Sequence, residues 1–121
     1  MDYSMYRGDS LILDIEVKQG DVAVDLTDSK VWMTAKKNYT DADDKAVFQI
    51  TTPDDIELTA PLLGKARIVV PAAETIGLTY PTGTLQTKLF YDIQVKTVTG
   101  IVQTVAVGQL IVNEDVTRAI A

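Results

Sequence analysis

The chain has 121 residues, a net charge of −6, 23% charged and 46% hydrophobic residues, and a pI near 4.4. That length fits one domain, residues 1–121, able to bury roughly two thirds of the surface its unfolded form exposes, and the apolar content excludes a disordered chain. There is no cysteine and no histidine, which removes any disulfide framework, the commonest general base and the commonest transition-metal ligand.

An acidic surface repels phosphate backbones, so no nucleic-acid partner is expected. No apolar run approaches the ~18 residues a membrane helix needs, and no membrane partner is expected. Residues 1–10 contain Asp2, Arg7 and Asp9 without an apolar stretch, and do not read as a signal peptide. The expectation is a protein made in a cytoplasm and leaving it, if at all, by lysis.

Alternation of period two, the strand signal, dominates the chain. In residues 10–18, Leu11, Leu13, Ile15 and Val17 share one face, against Asp14, Glu16 and Lys18 on the other. Gln19-Gly20-Asp21 is a turn, with a short continuation at Val22 and Val24. A polar corner at 25–29 leads to a strand over 30–37, where Val31, Met33 and Ala35 alternate with Trp32, Thr34 and Lys36. Residues 38–45 read as a loop, 46–52 as a third strand around Val47, Phe48 and Ile50, and Ile56 and Leu58 as a brief fourth. Ala66, Ile68 and Val70 mark the next strand over 65–70. Pro71 then opens a single helical turn through Ile76, proline being favoured at the first helical position, and this turn crosses between sheets.

Tyr80-Pro81-Thr82-Gly83 is a turn. The longest strand covers 84–98, with Leu85, Thr87, Leu89, Tyr91, Ile93 and Val95 on one face. Thr99-Gly100 closes a hairpin, and residues 101–112 return with Ile101, Gln103, Val105 and Val107 alternating. Residues 113–121 form an extended tail. It either docks on a neighbour, through Ile120 and Ala121, or frays. The fold expected is all-β: an immunoglobulin-like antiparallel β-sandwich of about seven strands with one short helical turn. A small barrel is the alternative.

Candidate sites each have a plainer reading. Arg7-Gly8-Asp9 spells a cell-adhesion tripeptide, but it sits where glycine provides the turn into the first strand, and the structural role is preferred. Asp41-Ala42-Asp43-Asp44 offers oxygens to a hard cation. An EF-hand loop counted from Asp41 would need glycine and glutamate where Ala46 and Thr52 stand, so a solvated acidic loop is expected. Asp92 and Glu114-Asp115 are carboxylates without an assembled catalytic partner. Ser4, Ser10 and Ser29 have no histidine to activate them. Trp32 with Tyr39 and Tyr91 offers a sugar-stacking platform, yet a tryptophan on the second strand of a sandwich more often packs in the core, although Trp32 is out of phase with Val31 and Met33. The expectation is no catalytic residue, no cofactor and no metal.

Several stretches in order carry a resemblance: Arg7-Gly8-Asp9-Ser10-Leu11-Ile12-Leu13; Asp25-Leu26-Thr27 leading into Val31-Trp32-Met33-Thr34-Ala35-Lys36-Lys37; Val70-Pro71 with Thr75 and Leu78; Leu89-Phe90-Tyr91-Asp92-Ile93-Gln94-Val95; then Thr99-Gly100, Gln103-Thr104, Gly108, Val112 and Asp115-Val116-Thr117. With these the chain resembles the immunoglobulin-like N-terminal domain of phage baseplate upper proteins and related small phage tail or head proteins. It departs from that pattern at residues 80–85, and lacks the long helical stalk and receptor-binding parts of the larger members. The resemblance implies a non-enzymatic virion structural protein, located in the virion, whose partners are other phage structural proteins and further copies of itself as a homo-oligomer. The alternative is a cell-surface or glycan-binding adhesion module.

Overall fold

The computed structural model describes residues 2–38, 40–42, 45–75 and 86–114. They are all-β: β1 (Tyr3–Tyr6), β2 (Leu11–Glu16), β3 (Lys18–Gln19), β4 (Val22–Ala23), β5 (Lys30–Lys36), β6 (Phe48–Thr51), β7 (Ile56–Ala60), β8 (Lys65–Val70), β9 (Gln86–Lys96) and β10 (Val102–Asn113). Among the described residues the helical structure is 3-10 in type and short, with turns at Pro61–Leu63 and Ala72–Glu74.

A five-stranded sheet has the order β1-β10-β9-β5-β6, a three-stranded sheet the order β2-β8-β7, and β3 with β4 makes a small hairpin. The inward faces of the two larger sheets meet in one core. From the first come Met33, Ile50, Leu89, Ile93 and Leu110; from the second come Leu13, Ile56, Ile68 and Val70. Leu26, from the polar corner, is wholly buried among them. Its N–H donates to the Pro61 carbonyl at 2.8 Å, while Asp25 Oδ1 accepts from the Thr27 N–H and hydroxyl at 2.9 and 2.6 Å. That local turn tips Leu26 inward. The Thr27 hydroxyl and N–H also hold the Asp25 carboxyl below its ordinary pKa.

Alternation placed β2, β5, β8 and β9 in their observed phase. Thr87, Leu89, Tyr91, Ile93 and Val95 are all buried, as are Val31, Met33 and Ala35. Asp14, Glu16 and Lys18 lie outward. Asp14 faces Arg67 across β2–β8 and accepts from its Nε at 2.8 Å, and Lys18 pairs with Glu16 at 2.9 Å. Both carboxyls are held below their ordinary pKa, chiefly by those hydrogen bonds.

Four expectations are corrected. First, a strand precedes the expected first one: β1 lies within residues 1–10 and pairs in parallel with β10, Tyr3 opposite Leu110 and Tyr6 opposite Asn113, so the large sheet is not wholly antiparallel. Second, the core phase of β10 is not that of Ile101 and Val107, which are 63% and 47% exposed. The register shifts between Thr104 and Ala106; such a bulge puts one extra residue in the strand and reverses the face of everything beyond it. Leu110 and Val112 are therefore the buried pair. Third, Pro71 is the extended residue before the 3-10 turn (φ −65°, ψ 149°), not its first helical residue. Fourth, Asn113 still belongs to β10, opposite Gln86, rather than to a tail. Leu85, the turn at 80–83 and residues 115–121 lie outside the described residues.

Candidate binding surface

The face of the five-stranded sheet that points away from the core gathers the polar and aromatic residues that alternate with the core set. Trp32 on β5 stands opposite Gln94 of β9 and Thr51 of β6, and Gln94 stands opposite Thr104 of β10. One step along, Thr34 stands opposite Asp92 and Gln49, and Lys36 opposite Phe90. Gln49 Nε2 donates to Thr34 Oγ1 at 2.9 Å. Gln94 Nε2 reaches Thr104 Oγ1 at 3.3 Å. Lys30 Nζ sits 6.0 Å from the Trp32 ring centroid, at the outer limit of a cation–π contact.

Trp32 is therefore not a core residue. Its neighbours Val31 and Met33 are fully buried while Trp32 is half-buried on the opposite face, because a strand's side chains alternate strictly whatever their size. Its indole borders an open hollow of roughly 370 Å³ shared with Thr34, Phe90, Asp92, Gln94 and Thr104. An aromatic face beside amide, hydroxyl, carboxylate and ammonium groups can stack on a sugar ring or seat a protein side chain.

Of the proposed stacking trio, Tyr91 faces the other way. It is 2% exposed, its ring 5.7 Å from that of Tyr3, and burial, with Tyr3 and Asp2 adding, pushes its hydroxyl up to about 12. Tyr39 lies outside the described residues. Asp92 is on the outward face, as alternation requires. Glu114 follows β10, and Asp92 pairs with Val107, seven residues before it; seven residues of strand span about 24 Å. The two carboxylates are too far apart to flank one bond, and Asp115 lies outside the described residues.

Arg7-Gly8-Asp9 forms the turn from β1 into β2. The Asp9 N–H donates to the Tyr6 carbonyl at 3.1 Å, Gly8 takes φ 83°, and the Gly8 N–H donates to Oγ1 of the fully buried Thr75 at 3.1 Å. Glycine is needed because the position before Asp9 takes a left-handed conformation. At the acidic loop, the Asn38 N–H donates to Asp41 Oδ2 at 3.2 Å, and Lys36 Nζ to the Asp41 carbonyl at 2.8 Å. Asp43 and Asp44 lie outside the described residues, and no group of three acidic side chains able to hold a metal ion occurs among those described. Ser4 and Ser10 are exposed. Ser29 is 7% exposed, on the corner before β5, and no partner for its hydroxyl is seen among the described residues.

Reading the sequence missed a different surface, the apolar tip of the β9–β10 hairpin. Val98, Ile101 and Val102 are 72%, 63% and 56% exposed. The signal was present: Thr97 to Asn113 is the longest stretch of the chain without a charged residue. No protein-family model and no curated protein matches the chain.

Proposed function

We propose that the chain is a non-enzymatic structural protein of a bacteriophage particle, an immunoglobulin-like sandwich that acts through protein–protein contacts as an adaptor or scaffold in the baseplate, tail or head. The order β10-β9-β5-β6 over β2-β8-β7 supports the immunoglobulin-like reading. It parallels the G-F-C-C′ and B-E-D strands of variable-type domains, with β1 added beside β10. Met33 then takes the core place that tryptophan holds on strand C of antibody domains, and Trp32 is displaced to the surface.

Fold alone does not give function. The observation that carries the assembly reading is the exposed apolar hairpin tip, Val98, Ile101 and Val102. Neighbouring exposed aliphatics on an otherwise acidic chain mark a contact surface. Mass spectrometry of purified particles from the phage that encodes the protein tests the reading. Stoichiometric presence is expected, and absence from intact particles overturns it.

The outward Trp32 favours a second reading, a glycan-binding module. A glycan array probed with the wild-type protein and with Trp32→Ala decides it: binding lost in the variant would establish a sugar platform, and a blank array removes it.

A further inference from the structure

The geometry points to the outer edge of β10, residues 102–106, as the site where a second copy of this chain adds its own β10 in antiparallel register, joining two five-stranded sheets into one. This deepens the assembly reading by naming its partner.

β10 is much longer than the strand beside it. Among the described residues β1 pairs with residues 110–113, and Asp2 Oδ1 accepts the Gln109 N–H at 2.9 Å. Among the described residues no strand lies on the outer side of 102–106. A strand in this position directs alternate N–H and C=O groups outward, a template for another strand.

Soluble proteins guard such edges with lysine, proline, inward charges or a β-bulge. From Thr97 to Asn113 there is neither a charged residue nor a proline, and valine and threonine recur. The bulge between Thr104 and Ala106 is the guard this stretch does carry, and with no charge or proline beside it the backbone groups on either side of it stay open to a partner strand. A segment so composed remains soluble when its edge is paired.

Charge selects the occupant. Each copy carries −6, so two copies repel across most of their surfaces. The uncharged strip is where they can meet without placing like charges together. A two-fold axis near Thr104 makes the contact self-complementary, each copy offering the same backbone groups to the other. It also brings the apolar tips, Val98 and Ile101, toward the partner's sheet.

Sedimentation equilibrium over a concentration series tests the pairing. The wild-type mass is expected to rise from the 13.2 kDa of one chain to twice that value, and Val102→Lys is expected to remain at the single-chain mass with an unchanged circular dichroism spectrum. A wild-type mass that stays at one chain up to millimolar concentration overturns the proposal, as does a dimer indifferent to Val102→Lys. Because the chain has no cysteine, Thr104→Cys gives a second readout. Mild oxidation should link two copies through it far faster than through Leu62→Cys, a 72% exposed control on a 3-10 turn; equal rates at the two positions also overturn it. Particle composition is measured separately, so a failed dimer and a failed virion reading are told apart.

Discussion

Replacing Gly64 with alanine should be among the most damaging single-methyl changes in this protein. Gly64 ends the 3-10 turn between β7 and β8 with φ 70°. Its carbonyl accepts the Val17 N–H at 2.7 Å, and the Val17 carbonyl in turn accepts the Val24 N–H at 2.9 Å. A methyl at Gly64 would run into the Val17 carbonyl oxygen, inside any real contact distance, and would lie 3.0 Å from the Val24 carbonyl oxygen. The left-handed conformation alone costs an alanine about 1 kcal/mol. Relieving the clash moves the Val17 carbonyl and weakens both hydrogen bonds, at about 1 kcal/mol each, for a total of about 3 kcal/mol. Gly20 supplies the control. It has φ 64° with nothing within 4 Å of an added methyl, so Gly20→Ala should lose only the backbone cost, about 1 kcal/mol. Urea unfolding of the two variants gives the difference, about 2 kcal/mol, at unchanged m-value. Equal losses, within about 0.5 kcal/mol, would show that the Val17–Gly64 contact does not constrain the fold.

Met33→Ala should cost about 2–5 kcal/mol as a core truncation, whereas Trp32→Ala should cost about 1 kcal/mol or less because half of a surface ring is lost without a cavity; thermal or urea unfolding compares them, and the reverse order would place Trp32 in the core. Tyr91 gives an alkaline limb. Its folded pKa, about 12, lies above the ordinary tyrosine value of 10.0, so the folded state holds the proton more tightly. The stability is whole below pH 10 and is lost as pH rises from 10 toward 12. Two units set a ceiling of about 2.7 kcal/mol, and solvent near the hydroxyl reduces this to about 1–2 kcal/mol. Unfolding free energies across that range should flatten in Tyr91→Phe, and an equal decline in both proteins would assign the limb to another group.

Long strands were legible because their alternation is redundant. Five inward residues of β9 and three of β5 each vote for one phase, and the other face is charged or polar apart from Phe90 and Trp32. β10 was placed but misphased. Its odd-numbered apolar set, Ile101, Val105 and Val107, runs on past the bulge between Thr104 and Ala106, beyond which the even-numbered Leu110 and Val112 face inward, so the apolar pattern does not show where the face changes. For Trp32, size argues for the core and phase for the surface, and phase decides. β1 had no such signal: four residues, Tyr-Ser-Met-Tyr, are too few to show a period, and their parallel partner lies more than a hundred positions away, beyond any local pattern. Of the site, the outward place of Asp92 was legible. The hollow beside Trp32 was not, because it joins three strands, β5, β9 and β10, through pairings that no short window contains.

The two candidate surfaces can be separated by substitution. Trp32 and residue 102 lie on the same sheet but two strands apart, β5 and β10 flanking β9, so their backbones are about 10 Å apart across the sheet. At that distance substitutions without shared partners act additively. Trp32→Ala should therefore leave the β10-mediated dimer intact, and Val102→Lys should leave any ligand of the Trp32 hollow bound. If instead Trp32→Ala dissolved the dimer, the second copy would be seated on the sheet face, not its edge, and the hollow lined by Phe90, Gln94 and Thr104 would be the protein contact. Measuring mass and ligand binding on both variants and on the double variant distinguishes edge pairing from face packing, because only edge pairing leaves Trp32 free to bind while the dimer persists.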